Sequence, residues 1–370
     1  MRILVTGGAG FIGSHLVDAL VKAGHAVRVL DCLEPQVHGH ERPDYLNTGA
    51  EYLDGDVRNR DLLRKALQGI EVVFHEAAMV GVGQSMYQIE RYVSANVLGT
   101  AILLDVIVND KIPLKRLIVA SSMSIYGEGQ YVCAACGPIA PSLRPTAQLQ
   151  QGDWEMCCPH CQQTARPQPT SETKPLIPTS VYAVTKRDQE ELCLSVGRSY
   201  RIPTVALRYF NVYGLRQALS NPYTGVCAIF SARIKNHHRP IVFEDGGQTR
   251  DFIDVRDIVQ ANLLVMTHPE AADGAFNVGT GRPTSILEIA RTLSRLYGIS
   301  VEPQLMKKFR AGDIRHCAAD VSRLRALGFV PSVTLEDGLR DLVAWGRQVE
   351  AQDRVETAAQ ELEARGLTQG

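Results

Sequence analysis

The sequence predicts an α/β protein, with a parallel sheet covered by helices on both faces and a smaller α+β region after it. Three observations predict this. Strand-like and helix-like runs alternate from the first residues onward. The strand-like runs are nearly unbroken in apolar residues, as strands buried on both faces must be. A glycine-rich turn, TGGAGFIG, separates the first strand pattern from the first helical one.

The elements follow in order. RILVTG is a short apolar strand, and a helix over about 12–23 ends at Gly24. AVRVLD is the next strand and closes on Asp31. VVFHEAA and RLIVASS are further strands, with the helical run SANVLGTAILLDVIV between them. The stretch 129–168 breaks the rhythm. It is rich in Gln, Pro, Ala and Cys, has no period, and reads as a surface insertion. SVYAVTK opens a helix, and TVALRYFNVYG is a strand entering a loop. After Gly214 the segments PIVFEDG, AFNVGTG and VEPQLM suggest the smaller α+β region. From about Leu335 the chain is rich in Ala, Glu and Arg and reads as a solvated surface helix with no assigned function. The predicted organisation is a nucleotide-binding domain over 1–210 carrying an insertion at 129–170, a second domain mainly over 211–345 with room for segments returning to the sheet, and a helical tail over 346–370.

Composition narrows the function. The chain has 370 residues, 45% of them hydrophobic, and a net charge of -1. That is enough for a large core and gives no sign of nucleic acid or an anionic membrane as partner. MRILVTGG runs straight into a turn, without the basic and long apolar regions of a signal peptide. No apolar run reaches the length of a membrane span. Nine cysteines without a secretory signal point to reduced thiols or metal. A cytoplasmic enzyme is the expectation.

Gly7, Gly10 and Gly13 stand where a tight turn lets backbone approach a pyrophosphate at a helix N-terminus, which Phe11 and Ile12 open. Asp31 ends the second strand, where a carboxylate accepts ribose hydroxyls and repels a 2′-phosphate, so NAD is expected over NADP. Asp56 and Val57, in GDV, are expected to flank the adenine. The predicted fold is thus a Rossmann-type doubly wound sheet. Tyr182 and Lys186, one helical turn apart, share a face. An ammonium beside a phenol lowers its pKa, so Tyr182 is expected to act as a base, with Lys186 also placed to hold the nicotinamide ribose.

With these motifs together, the chain resembles an extended short-chain dehydrogenase/reductase of the nucleotide-sugar epimerase/dehydratase family. The resemblance covers about 1–128 and 170–345. It rests on TGGAGFIG, HEAA, NVLGT, SSMSIYG, YAVTK, RYFNVYG, TRDFIDVRD, NVGTG and RAGDIR. It implies that NAD takes a hydride from a sugar carbon while Tyr182 takes the hydroxyl proton and Ser122 hydrogen-bonds that hydroxyl. It also implies NAD contacts at Ala77, Ala78 and Asn96, and a nucleotide diphosphate-sugar substrate met by Asn211, Arg250 and Arg310. Members often dimerise through two helices, here about 94–109 and 182–197, so a homodimer is expected.

Residues after Ser122 discriminate among reactions. The family's dehydratases place an acid and then a glutamate there; here stand Met123 and Ser124, facing the substrate. Methionine moves no proton and serine is a poor base, which argues against dehydration, decarboxylation and 3,5-epimerisation. What remains is C4 epimerisation through a transient 4-keto sugar. Glucuronate-type enzymes carry an arginine at the position of Ala218, and Arg216 is one turn misplaced, so an uncharged or differently substituted hexose is favoured. The alternatives are a one-way nucleotide-sugar reductase or dehydrogenase and, from another class, a regulatory NAD-binding protein with a dead site. Intact Ser122, Tyr182 and Lys186 argue against the last.

Cys133, Cys136, Cys158 and Cys161 form C-x2-C-x21-C-x2-C, a strong pattern for zinc. Cys157 is a spare neighbour and His160 a substitute ligand. Four thiolates leave no open coordination position, so the zinc is expected to be structural and to make the insertion a rigid flap near the substrate cleft. Cys32, Cys193, Cys227 and Cys317 show no pairing pattern and read mostly as small buried hydrophobes.

Overall fold

The computed structural model describes residues 1–39, 41–310 and 312–369. Seven strands form the main sheet, in the order Gly274–Val278, Thr204–Tyr209, Arg116–Ser122, Val72–His75, Arg2–Thr6, Ala26–Asp31, Glu51–Asp54. All of these neighbours pair in parallel. The order reverses between Arg2–Thr6 and Val72–His75, and such a switch opens a crevice at the carboxyl ends of the strands.

The central strands Val72–His75, Arg116–Ser122 and Thr204–Tyr209 are buried at every residue, which explains their unbroken apolar runs. Successive side chains alternate between two cores. Ile3 and Val5 join Leu16, Val17 and Leu20 of the Phe11–Lys22 helix on one face. Leu4 joins Leu103, Val106 and Ile107 on the other. Those last residues belong to Ile89–Asn109, the one helix among the described residues long and apolar enough to cross a membrane. The core it covers accounts for part of its apolarity, and Ile89, Val93 and Leu98 stay exposed. A π-helical turn at Val93–Leu98 lies within it and carries Asn96.

The smaller lobe holds the strands Asn211–Tyr213, Thr249–Asp254, Pro283–Ser285 and His316–Cys317. AFNVGTG, expected in this lobe, instead supplies the outer strand of the main sheet, Gly274–Val278. Glu51–Asp54 is an edge strand that the strand-like runs in the sequence did not include. The insertion folds as a small antiparallel sheet, with Gln130–Cys133 between Gly137–Ile139 and Arg166–Gln168. Its core is Tyr131, Cys133, Ile139, Met156, Cys158 and Ala165.

The chain after Leu335 departs from the expected solvated helix. Leu335–Gln348 buries Leu339, Leu342 and Val343 against Phe230, Ile289 and Leu293. Apolar residues at helical spacing were present among the charges, and that stripe joins the lobe's core. The helix that follows, Val355–Ala364, buries Ala358 and Leu362.

Candidate active site

One cavity of about 780 Å³ runs along the carboxyl ends of the strands and out between the lobes. At one end lies the glycine turn. Gly7 has φ +72°, and a Cβ there would stand 2.7 Å from the Ala77 nitrogen. A Cβ on Gly13 would lie 2.2 Å from the Gly7 carbonyl oxygen. The turn, the helix start and the Ala77 segment therefore close on one another without room for a side chain. Gly13→Ala is expected to abolish NAD retention and lower the melting temperature, measured by cofactor titration and thermal denaturation.

Asp31 accepts from the backbone N–H of Ala9 (3.0 Å) and of Leu33 (2.8 Å), which fixes its carboxylate at the cavity wall. Phe11, Ile12, Val57, Ala77 and Ala78 line the same wall. Asp56 lines it too, but its carboxylate is taken by Arg58 (2.6 Å), whose hydrogen bonds hold its pKa below the usual range. Asn96 is not brought to the cavity. It is fully buried, accepts from the Met79 N–H (2.7 Å) and donates to the Met79 carbonyl (3.0 Å) and Thr185 Oγ1 (3.0 Å). It braces the segment that follows Ala77 and Ala78.

At the centre, Ser122 ends its strand and caps the short helix Met123–Tyr126. Ser124 Oγ donates to Ser122 Oγ (2.9 Å). Tyr182 opens the helix Val181–Tyr200, capped by Ser180. Its N–H donates to Ser85 Oγ (3.0 Å), and its ring meets Tyr92 edge-on at 6.5 Å between centroids. Burial raises the Tyr182 phenol above its ordinary pKa, and the Ser122 hydroxyl draws it down. The expected depression by Lys186 is not what this geometry gives. Lys186 Nζ donates to Gln189 Oε1 (2.8 Å), and burial lowers its own pKa to about 8. Both side chains share the helix face, but the amine reaches one turn onward.

Gln189 then donates to Thr100 Oγ1 (2.9 Å), which is 2.8 Å from His75 Nε2. His75 Nδ1 is 2.8 Å from Thr6 Oγ1, and burial pulls the imidazole down to about 3, so it stays neutral. Tyr209 donates to Glu76 Oε1 (2.9 Å) at the cavity wall, where desolvation pushes the Glu76 carboxyl up to about 7. Sequence reasoning missed this polar floor. Its one signal was polar residues inside otherwise apolar strands.

At the far end lie Asn211, Arg250 and Arg310, while Ser124 lines the cavity beside Ser122. Asn211 Oδ1 is buried without a partner, an acceptor a ligand donor would satisfy. Arg250 donates to the carbonyls of Thr249 (2.8 Å), Ile314 (2.7 Å) and Arg315 (3.0 Å). Two of a guanidinium's five N–H donors then remain for a ligand. Arg310 pairs with Asp313 (2.7 Å) and stacks over Phe243 at 4.6 Å. Ala218 lines the cavity, whereas Arg216 turns away to Asp18 (2.8 Å) and the Tyr45 ring.

The four expected cysteines converge, their sulfurs all within 4.8 Å of one another. A tetrahedron of thiolates around zinc has S–S edges of about 3.8 Å, so the group suits that ion. The backbone N–H groups of Cys136 and Ala135 face the Cys133 sulfur and lower its pKa to about 7. Cys157 and His160 stand outside the group. Cys193, Cys227 and Cys317 are buried, while Cys32 is exposed. Buried charges join this insertion to the substrate end. Arg144 donates to Glu244 (2.8 and 3.1 Å), and Arg315 to Glu244 (3.0 Å), Asp245 (2.7 Å) and Glu155 (2.6 Å). His316 Nε2 lies 3.2 Å from Glu155, and Glu128 accepts from the Arg315 N–H.

Comparisons with known proteins agree with this layout. A sequence model of the NAD dependent epimerase/dehydratase family matches residues 3–145 and 159–279. The chain is similar to the dTDP-L-rhamnose 4-epimerase of Burkholderia thailandensis, at 37% identity over 349 residues, 93% of this chain and 94% of that one. The structure of UDP-glucuronic acid 4-epimerase from Bacillus cereus, in complex with UDP-glucuronic acid and NAD, matches with a TM-score of 0.78 at 30% identity, covering 95% of this chain and 100% of that one. UDP-glucose 4-epimerase of Thermotoga maritima with UDP-glucose matches with a TM-score of 0.77 at 31% identity, covering 94% and 99%.

Proposed function

The chain belongs to the NAD-dependent epimerase/dehydratase family, and from that premise we propose that it inverts C4 of a nucleotide-diphosphate hexose through a transient 4-keto sugar. The observation that carries this reading is a single cavity holding the glycine turn, Ser122, Tyr182, Lys186, Arg250 and Arg310, with no acid at Met123 or Ser124.

NAD, held along Gly7, Gly10, Gly13, Asp31, Val57, Ala77 and Ala78, supplies the hydride acceptor and a cationic ring when bound. The protein's residues do the rest. Tyr182 accepts the C4 hydroxyl proton and returns it after inversion. Ser122 holds that hydroxyl, and its own acceptance from Ser124 leaves its proton free to point at the sugar. Lys186 carries the ammonium on the same helix face, and Gln189 holds it one turn beyond the phenol. Arg250, Arg310 and Asn211 hold the diphosphate, so the sugar can turn while its anchor stays fixed. Ala218 at the sugar wall, with Arg216 turned away, supports an uncharged hexose.

The Cys133, Cys136, Cys158 and Cys161 group is read as a structural zinc site, since four thiolates close the coordination sphere. A homodimer is supported by the exposed Leu98 and Val184 on the two stretches expected to pair, with exposed Ile89 and Val93 just before the first of them.

The experiment is incubation with a panel of nucleotide hexoses. An isomer of unchanged mass, epimeric at C4 by NMR, is expected with no net change in NADH. Release of a keto-sugar with stoichiometric NADH would replace this reading with a dehydrogenase. Solvent deuterium at C3 or C5 would replace it with a 3,5-epimerase.

A further inference from the structure

The C-terminal segment crosses the cavity mouth from one lobe to the other. Its root is fixed on the smaller lobe, where Asp353 pairs with Arg233 (3.1 Å) and His238 (2.6 Å). The helix Val355–Ala364 then turns Val355, Ala358, Ala359 and Leu362 to the cavity. Leu362 packs on Gly83, where an added Cβ would lie 3.3 Å from its Cδ2. Gly83 lies on the nucleotide-binding side, between the Val72–His75 strand and the Ile89–Asn109 helix. Glu361 Oε2 accepts from Tyr87 and Tyr223, each at 2.7 Å, which joins that side to the loop before Val226–Lys235. The Arg365 guanidinium lies 4.1 Å above the Tyr87 ring. The chain ends by pairing Thr368–Gln369 antiparallel with Phe309–Arg310, with Thr368 opposite Arg310.

We propose that residues 354–369 are a strap of the substrate site, which closes over the nucleotide sugar and retains the keto-sugar while it turns. This rests on the epimerase reading. Three features support it. The strap touches both lobes, so its position reports their separation. It pairs directly with the strand that carries Arg310, so diphosphate binding and strap docking share one backbone. Its contacts beyond the root are a two-residue strand, the Glu361 carboxylate, Glu356 near Arg233 (3.6 Å), the Arg365 guanidinium over Tyr87, and Ala358 and Leu362 packed inward. Such a segment opens locally without unfolding the domain. Its inner face is mostly apolar, Val355, Ala358, Ala359, Leu362 and Leu367, with Glu363 and Thr368 the polar residues on it.

Loss of the keto-sugar would leave the hydride on the cofactor as NADH and the C4 hydroxyl's proton on Tyr182, which passes it to solvent. One NADH then accumulates per sugar lost.

The test uses the full chain, a chain ending at Asp353, and Glu361→Ala in the full-length chain. Folding is checked by melting temperature and NAD retention. With UDP-glucose and dTDP-glucose as probes, both altered proteins are expected to show KM raised about tenfold, and absorbance at ~340 nm that grows during turnover, as for lids that sequester a reaction. KM within about twofold of the full chain with no growing absorbance would overturn the strap. Glu361→Ala removes only a side chain at the surface end of the segment, so it decides the matter if the shortened chain does not fold. If the full chain epimerises neither probe, the C4 reading fails separately for these sugars. Calorimetry with the two probes then decides: weaker binding by the altered proteins upholds the strap, and equal binding overturns it.

Discussion

Tyr182→Phe is expected to lower kcat by about 10²–10⁴-fold, the span of a general acid–base contribution, while NAD and nucleotide-sugar binding stay within a few-fold of the parent. The change removes only a hydroxyl. The ring stays in place, edge-on to Tyr92, and the helix start remains capped by Ser180 and tied to Ser85 through a backbone N–H. A fall in kcat with an unchanged melting temperature is therefore a chemical loss. The parent's pH profile carries the same information. Burial sets the phenol high, so the phenolate is scarce at neutral pH and the rate rises as pH rises. Lys186 is held near 8, so above that value the loss of its charge offsets the gain in phenolate and the rate levels off. Tyr182→Phe should flatten the rising limb. Retention of more than a tenth of the parent's kcat would show that another group takes the proton, and Glu76, pushed up to about 7 at the cavity wall, is the residue to change next.

What the sequence made legible divides by range. The glycine turn, the helix carrying Tyr182 and Lys186, and the strand ending at Ser122 are local patterns, and each lies where its pattern implied. Partner choice is not local. AFNVGTG reads as a short strand in any context, and only the completed sheet edge at Thr204–Tyr209 captures it. Asn96 sits in a stretch characteristic of nucleotide contact, but a π turn points its amide at Met79 and Thr185. Lys186 was placed on the correct face, and Gln189 one turn onward decides where its amine goes. The last helix shows the same limit most plainly. Ala358, Ala359 and Leu362 make a weak apolar face that suits a surface, and its burial depends on Gly83 and Tyr87, more than 250 residues away by sequence.

The pair Cys158→Ser and Cys161→Ser is expected to abolish the zinc binding proposed for this cluster, lower the melting temperature and raise the KM for nucleotide sugar about tenfold or more, while NAD binding persists. Structural zinc supplies folding free energy that a small apolar core cannot replace, on the order of 10 kcal/mol in zinc-finger peptides. Here that core is six residues, two of them the cysteines Cys133 and Cys158. Once it loosens, Arg144 and Glu155 lose their fixed positions. Glu244 and Arg315, both nearly fully buried, are then left short of partners. Breaking such a buried pair costs about 3–5 kcal/mol. Arg315 is also the residue whose carbonyl accepts from Arg250, and it lies five positions beyond Arg310 in the chain. The disturbance thus reaches the proposed diphosphate contacts before it reaches Tyr182, so KM should move more than kcat. Metal analysis checks the first step and steady-state kinetics the second. Loss of zinc with KM unchanged would uncouple the insertion from the substrate. Loss of hydride transfer with fold and substrate affinity intact would mean that the metal site takes part in the chemistry, against the closed coordination that four thiolates imply.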